Sequence, residues 1–178
     1  ANLNETPIIA IFSHTGFQDA ADGASHQSTT YISAVASIPN TKVFNCSCSS
    51  QIEELMLREI RAFNDDRENG ICPPSLIFFL GRETFPSSYE ELNNQKNEEI
   101  ALVASGSMVP IAIRAQELLK NQNMNIQVYD HAQVKPIDGE FWTAELSSKR
   151  LVFTLEDHQV TGGMGQILAG SLDLLCNY

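Results

Sequence analysis

Residues Ser13 to Asn40 read SHTGFQDAADGASHQSTTYISAVASIPN. The stretch follows a short apolar run, Pro7 to Phe12, and precedes an extended one, Lys42 to Phe44. The run PIIAIF is continuous and rich in β-branched residues, the mark of a strand buried on both faces. The loop after it is polar, contains glycine and carries His14, Asp19, Asp22 and His26. Open α/β sheets bind ligands just past the C-terminal ends of their strands, so titratable groups in this position make a candidate site. Taken alone, Asp22-Gly23 is also an ordinary turn signal, and His26 also suits a surface helix cap.

Outward from this loop, Thr30 to Ser37 predicts a short helix with Tyr31, Ala34 and Val35 on one side, ended by Pro39-Asn40. Lys42 to Cys46 predicts the next strand. Ser50 and Glu53 have the spacing of a capping box, and Ile52, Leu55, Met56, Ile60 and Phe63 follow as the apolar stripe of a helix packed on the core. Ser75 to Leu80 is another apolar strand, and it delivers Gly81-Arg82 at its end. Composition then turns polar, which predicts a linker over 87–98 between a first unit at 1–86 and a second at 99–178.

The second unit alternates cleanly. Strands are predicted at Ile100–Ala104, Ile126–Tyr129 and Leu151–Leu155, and helices at Val109–Asn121, Gly139–Leu146 and Gly163–Leu175. Strands separated by helical patterns imply right-handed βαβ units and a parallel sheet. The expected fold is α/β: two small three-layer α/β/α units with mainly parallel sheets, the first incomplete.

At 178 residues, 43% hydrophobic and 19% charged, the chain suits one or two small globular domains. No apolar run approaches the roughly 20 residues that span a bilayer, and Ala1-Asn2-Leu3-Asn4 shows no signal peptide, so no membrane and a cytoplasmic location are expected. A formal charge of −11 argues against nucleic acid, whose binding rests on neutralising phosphates with Lys and Arg. A phosphate site here must be built locally by a few well-placed cations. Cys46, Cys48, Cys72 and Cys176 lack the spacing of a zinc site and read as reduced, structural thiols. Gly162-Gly163-Met164-Gly165 lacks the dinucleotide spacing and reads as a tight turn with close helix packing rather than an anion cradle.

DGASHQ (Asp22 to Gln27) followed by Ile38-Pro39-Asn40 resembles the DGxTHQ…IPN signature of the transketolase pyrimidine-binding domain. LGRETFP (Leu80 to Pro86) is similar to the arginine strand end that closes that domain. ASGSMVPIAIRAQELL (Ala104 to Leu119), VKPID (Val134 to Asp138) and LEDHQVTGGMG (Leu155 to Gly165) resemble segments of the transketolase C-terminal domain. Five segments in the family's order cover nearly the whole chain. Ser25 stands where the family usually has threonine, and the hydroxyl is kept.

The resemblance implies a C-terminal fragment or subunit of an enzyme that transfers a two-carbon ketol unit between sugar phosphates. It implies that Asp22 and His26 hydrogen-bond substrate hydroxyls near the donor carbonyl, as the catalytic pair. His14 and Arg82 would contact the substrate phosphate, with Ser25 and Gln27 also at the substrate. A planar guanidinium on a rigid strand end can grip phosphate bidentately, and histidine can donate to oxygen or pass a proton. Local alternatives stay open: Arg82 pairing with Glu83 or a linker carboxylate, His14 satisfied by backbone, and Asp22 shaping its turn. Glu156, Asp157 and His158, and likewise His131 and Lys135, are expected to be structural or subunit-interface residues.

The chain contains no GDG motif, and the family's cofactor glutamate lies upstream of the loop with which this sequence nearly begins. The resemblance therefore implies thiamin diphosphate and Mg2+ in a complete assembly, with no cofactor or metal site in this chain alone. The expected partner is a subunit or N-terminal segment carrying the thiamin diphosphate site, in a dimeric assembly, and exposed apolar surface is expected where it packs. Related alternatives are 1-deoxyxylulose-5-phosphate synthase, the β subunit of a 2-oxoacid dehydrogenase, or a non-catalytic scaffold with the same fold.

Overall fold

The structure, a computed structural model, describes residues 4–18, 20–82, 86–93 and 97–172. Among the described residues, seven strands form two sheets. The first holds β1 (Ile9–Phe12), β2 (Thr41–Asn45), β3 (Ser75–Phe79) and β6 (Gln133–Lys135), in the order β1-β3-β2-β6. The second holds β4 (Ile100–Ala104), β5 (Gln127–Asp130) and β7 (Leu151–Leu155), in the order β5-β4-β7. β1 and β2 both run parallel to β3, and β5 and β7 both run parallel to β4. Only β6 is antiparallel, with Val43 opposite Lys135 and Phe44 opposite Gln133. The α/β class with mainly parallel sheets is as expected.

The α-helices among the described residues are α1 (Tyr31–Ala36), α2 (Ser49–Glu68), α3 (Glu90–Asn93), α4 (Val109–Lys120), α5 (Gly139–Leu146) and α6 (Met164–Ser171). Three features differ from the sequence expectation. β6 falls where no element is expected, because three residues without a helical spacer leave no periodic signal. The start of α2 is shifted: Cys48 is its N-cap residue, with no side-chain cap, and Ser50 lies inside the helix. Gln51, not Glu53, reaches back, its Oε1 accepting from Ser47 N at 2.9 Å.

The third difference concerns β1, read as buried on both faces. β1 sits at the sheet edge, with Ile9 41% exposed on one face and Phe12 48% exposed on the other. A strand is buried only if layers cover both its faces, and this chain supplies little cover there. Ile8 and Phe17 extend the exposed apolar area. β2 and β3 are central and almost wholly buried instead.

One core cluster runs through both sheets. Tyr31, Ile32, Val43, Ile77 and Phe79 pack with Ala101, Val103, Val134, Trp142, Leu146, Met164 and Leu168. A second cluster seals α2 onto β2 and β3, with the Phe44 and Phe78 rings stacked at 4.8 Å. The stripe of α2 packs as its spacing predicts, through Leu55 and Phe63 with Ile52, Met56 and Ile60 beside them. The buried Glu59 on the same helix is held by Lys42 Nζ at 2.6 Å and Arg58 Nη2 at 2.8 Å. At the seam, Asn45 Nδ2 donates to Tyr31 Oη at 3.2 Å and to Ser105 Oγ at 3.0 Å, tying the ends of β2 and β4 together. Among the described residues, no helix is long and apolar enough to cross a membrane. Cys46, Cys48 and Cys72 are free thiols, and burial, with Asp130 and Cys48 nearby, pushes the Cys46 thiol up to about 12. Cys176 and Leu175, the latter ending the helix expected at 163–175, lie outside the described residues.

Candidate functional site at the strand ends

β1 and β3 are parallel neighbours, so the loop after Phe12 and the Leu80-Gly81-Arg82 segment emerge at the same sheet edge. The loop is closed by a small antiparallel bridge. Gly16 N donates to Ser28 O at 3.0 Å and Ser28 N returns to Gly16 O at 3.1 Å. Thr15 Oγ1 donates to Leu80 O at 3.1 Å, which ties the loop to the end of β3.

Within this frame Arg82 Nη1 meets Asp22 Oδ2 at 3.2 Å, and Arg82 N donates to Gln18 Oε1 at 2.7 Å. The side chains of Arg82 and Asp22 are 38% and 50% exposed, so the pair faces solvent. Exposed ion pairs are typically worth 0–1 kcal/mol, weak enough for an incoming anion to compete. Asp22 therefore stands where the sequence left Glu83 as a possible partner; Glu83 itself lies outside the described residues, as does Asp19.

Ser25 and His26 occupy a single 3-10 turn, Ala24–His26, that begins at Gly23. The His26 ring Nδ1 lies 3.0 Å from Ser25 Oγ, and both residues are exposed. Gln27 is half-buried and ends the turn. His14 adopts a left-handed backbone, φ 62°, and its Nδ1 lies 2.9 Å from Ser13 Oγ. Asp22 and Arg82 are thus brought into contact, Ser25 and His26 sit four residues or fewer beyond Asp22 on the same loop, and the described contacts of the His14 ring reach only Ser13.

Two of the residues expected to be structural or at a subunit interface, Asp157 and His158, are what hold this loop. Asp157 Oδ2 accepts from Phe17 N at 2.9 Å, from 140 residues away. Gly16 has φ 77° and packs so closely on Asp157 that a Cβ would lie 2.0 Å from its Oδ2. His158 Nε2 accepts from Ser33 N at 3.3 Å, and its ring packs edge-on to Tyr31. Gln159 N donates to Thr29 O at 2.9 Å. The EDH segment therefore clamps both ends of the loop. Its first member, Glu156, accepts from Gly165 N at 3.0 Å and from Met164 N, so the chain's own carboxylate fills the glycine turn at the start of α6. No local pattern announces these contacts; only the resemblance of the segment singled it out.

A family model of the transketolase pyrimidine-binding domain matches residues 1–73, and one of the transketolase C-terminal domain matches residues 90–176. The chain belongs to the transketolase family. Human transketolase is 26% identical over 180 residues, which covers 97% of this chain and 28% of that protein. A putative transketolase C-terminal section from Methanocaldococcus jannaschii is 29% identical over 89% of this chain and 50% of its own length. A 1-deoxy-D-xylulose-5-phosphate synthase from Clostridium tetani is 26% identical over 92% of this chain and 26% of that protein. The chain thus spans about a quarter to a half of these relatives. In fold it is similar to a split-gene transketolase in an inactive beta4 tetramer, with TM-score 0.69 at 24% identity over 92% of this chain and 52% of that one.

The donor set of the loop does not suit a magnesium diphosphate. Its one described carboxylate, Asp22, is paired with Arg82, and no cluster of three or more potential metal ligands occurs among the described residues. Imidazoles, a guanidinium, a hydroxyl and a carboxamide are instead the chemistry that recognises sugar hydroxyls and a phosphate monoester.

Proposed function

We propose that this chain supplies the substrate-binding edge of a transketolase-like enzyme that moves a two-carbon ketol unit between sugar phosphates. The observation that carries the reading is the Arg82–Asp22 pair, one member from each of two adjacent strand ends. In this reading Arg82 exchanges Asp22 for the substrate phosphate, which it can grip bidentately. His14, Ser25 and Gln27 add donors around the same substrate. Asp22, once released, accepts from a sugar hydroxyl beside the donor carbonyl, and His26 donates to or takes a proton from a neighbouring hydroxyl oxygen. The described donors of the loop do not suit a magnesium diphosphate, so in this reading thiamin diphosphate and Mg2+ are held by a partner subunit or by another segment of the same polypeptide. No step of the carbanion chemistry is placed on this chain.

The first unit at 1–86 contributes the loop, and the second at 99–178 clamps it through Asp157 and His158. The exposed apolar edge at Ile9, Ile11 and Phe12 is where the partner packs in this reading. The likeness to a 1-deoxy-D-xylulose-5-phosphate synthase favours one second reading, the same architecture acting on pyruvate and glyceraldehyde phosphate.

The test uses the assembled enzyme. Arg82→Ala removes a charge-assisted contact worth about 1.5–3 kcal/mol, so KM for a phosphorylated substrate rises about tenfold or more while kcat changes little. An unchanged KM removes Arg82 from the site. Assaying sugar phosphates against pyruvate plus glyceraldehyde phosphate separates the two enzymatic readings, and deletion of this chain without loss of activity leaves a scaffold.

A further inference from the structure

A cleft of about 390 Å³ opens between α2 and the β5–β6 turn, with Trp142 of α5 closing one side. That volume falls in the range of small-molecule sites. Its polar floor is Asp130, the last residue of β5, and His131, which is 3% exposed. One oxygen of the Asp130 carboxylate is fixed: Oδ2 accepts from Gln51 Nε2 at 2.8 Å and from Ser47 Oγ. The other oxygen, Oδ1, and Nε2 of His131 are buried and make no hydrogen bond within the described chain. Buried polar atoms without a partner are uncommon and costly, so two on adjacent residues lining one cleft call for an explanation.

The chemistry of the lining selects among ligands. A carboxylate oxygen only accepts, and burial keeps the His131 ring neutral, so that its Nε2 can accept as well. Glu54 and Asp138 add negative charge at the rim. The one cation lining the cleft, Arg58, is turned to Glu59, with Nε 2.9 Å from Oε1, and its Nη2 reaches Gln133 Oε1 at 3.3 Å. The field in the cleft is therefore negative, and an anion such as phosphate is disfavoured. Leu55, Ala132, Pro136 and Trp142 supply apolar walls suited to a flat or aliphatic body.

We propose that this cleft binds a small organic cation with adjacent N–H donors, an amine or amidinium, which donates to Asp130 Oδ1 and His131 Nε2. None of Asp22, His14, His26 or Arg82 lines it, so the proposal stands or falls independently of the ketol-transfer reading. The cleft joins helix α2 of the first sheet to the end of β5 in the second, so an occupant bridges the two.

The experiment titrates the full 178-residue chain with benzamidine and, as a matched anion of the same shape, benzoate. Trp142 is the only tryptophan in the chain and lines the cleft, so its fluorescence reports occupancy directly. The expected result is saturable one-to-one binding of benzamidine, a shift of the His131 ring nitrogen signals, and no binding of benzoate. Asp130→Asn weakens benzamidine at least tenfold, and Glu54→Gln, an exposed change that leaves the fold intact, weakens it about threefold. Equal binding of benzoate, absence of a saturable signal, or benzamidine affinity unchanged in Glu54→Gln overturns the proposal, and the last of these does so even if Asp130→Asn fails to fold.

Discussion

Gly16→Ala is the change that most sharply probes how the second half of the chain holds the loop after β1. Gly16 has φ 77°, and a Cβ built there lies 2.0 Å from Asp157 Oδ2 and 2.2 Å from its Cγ. The carboxylate must therefore move, and its bond to Phe17 N at 2.9 Å goes with it. The left-handed backbone costs an alanine about 1 kcal/mol. Losing a hydrogen bond to a buried charged group costs about 1.5–3 kcal/mol more, for a total of about 2.5–4 kcal/mol. Gly23 supplies the control in the same loop. It has nearly the same φ, 78°, but nothing lies within 4 Å of its Cβ position, so Gly23→Ala costs the backbone term alone. Urea unfolding of the two variants should differ by about 1.5–3 kcal/mol. On an Asp157→Ala background the cost of Gly16→Ala should fall to that of Gly23→Ala, since the colliding group is gone. Equal costs for the two glycine variants, or no coupling to Asp157, would refute the clamp.

Two further predictions concern the buried polar groups. Burial raises the Asp130 carboxyl to about 6, although Ser47 and Gln51 donate to it, and burial lowers His131 to about 4. Ordinary values are about 3.9 and 6.5. Between about pH 4 and 6 the folded chain holds the extra proton on Asp130, which makes stability fall as pH rises. Over the same range the unfolded chain holds the extra proton on His131, which makes stability rise with pH. The two nearly cancel in the native sequence, so Asp130→Asn should make stability climb with pH relative to wild type and His131→Gln should make it fall. Each amplitude is at most roughly 3 kcal/mol, and the same sign in both variants would contradict the assignment. Asn45→Ala removes the donor shared by Tyr31 and Ser105 at a fully buried seam. It should cost about 1–3 kcal/mol in urea unfolding, and no measurable loss would show that the seam is held by packing alone.

The alternating half of the fold was legible because its strands are continuous apolar runs separated by helical stripes. The expected bounds of Ile100–Ala104, Gly139–Leu146 and Leu151–Leu155 match the observed elements. β6 was not legible, since three residues, Gln133–Lys135, pair with β2 far earlier in the chain and follow no local period. The exposure of β1 was equally hidden: an apolar run states that a strand forms, while its burial depends on what covers it. Asp22 and Arg82 were picked out as site residues by the family resemblance, and their mutual contact depends on strand order, which local pattern does not carry. Asp157 shows the converse case. Its contact to Phe17 joins opposite ends of the chain, so neither spacing nor propensity could assign it to the loop. Asp130 ends β5 and His131 follows it; the resemblance marked His131 as structural or at a subunit interface, but no local pattern shows that His131 and Oδ1 of Asp130 are buried beside α2.

In the proposed function this chain supplies the substrate-binding edge of a ketol-transferring assembly whose cofactor site lies elsewhere. The direct measurement purifies tagged chain from its native source, identifies the co-purifying thiamin-binding subunit or preceding segment by intact mass, and assays transfer from a ketose phosphate to an aldose phosphate with each part alone and combined. Transfer is expected only when both are present, with KM for the phosphorylated substrate raised in the Arg82→Ala assembly. Full turnover by the thiamin-binding part without this chain would contradict it.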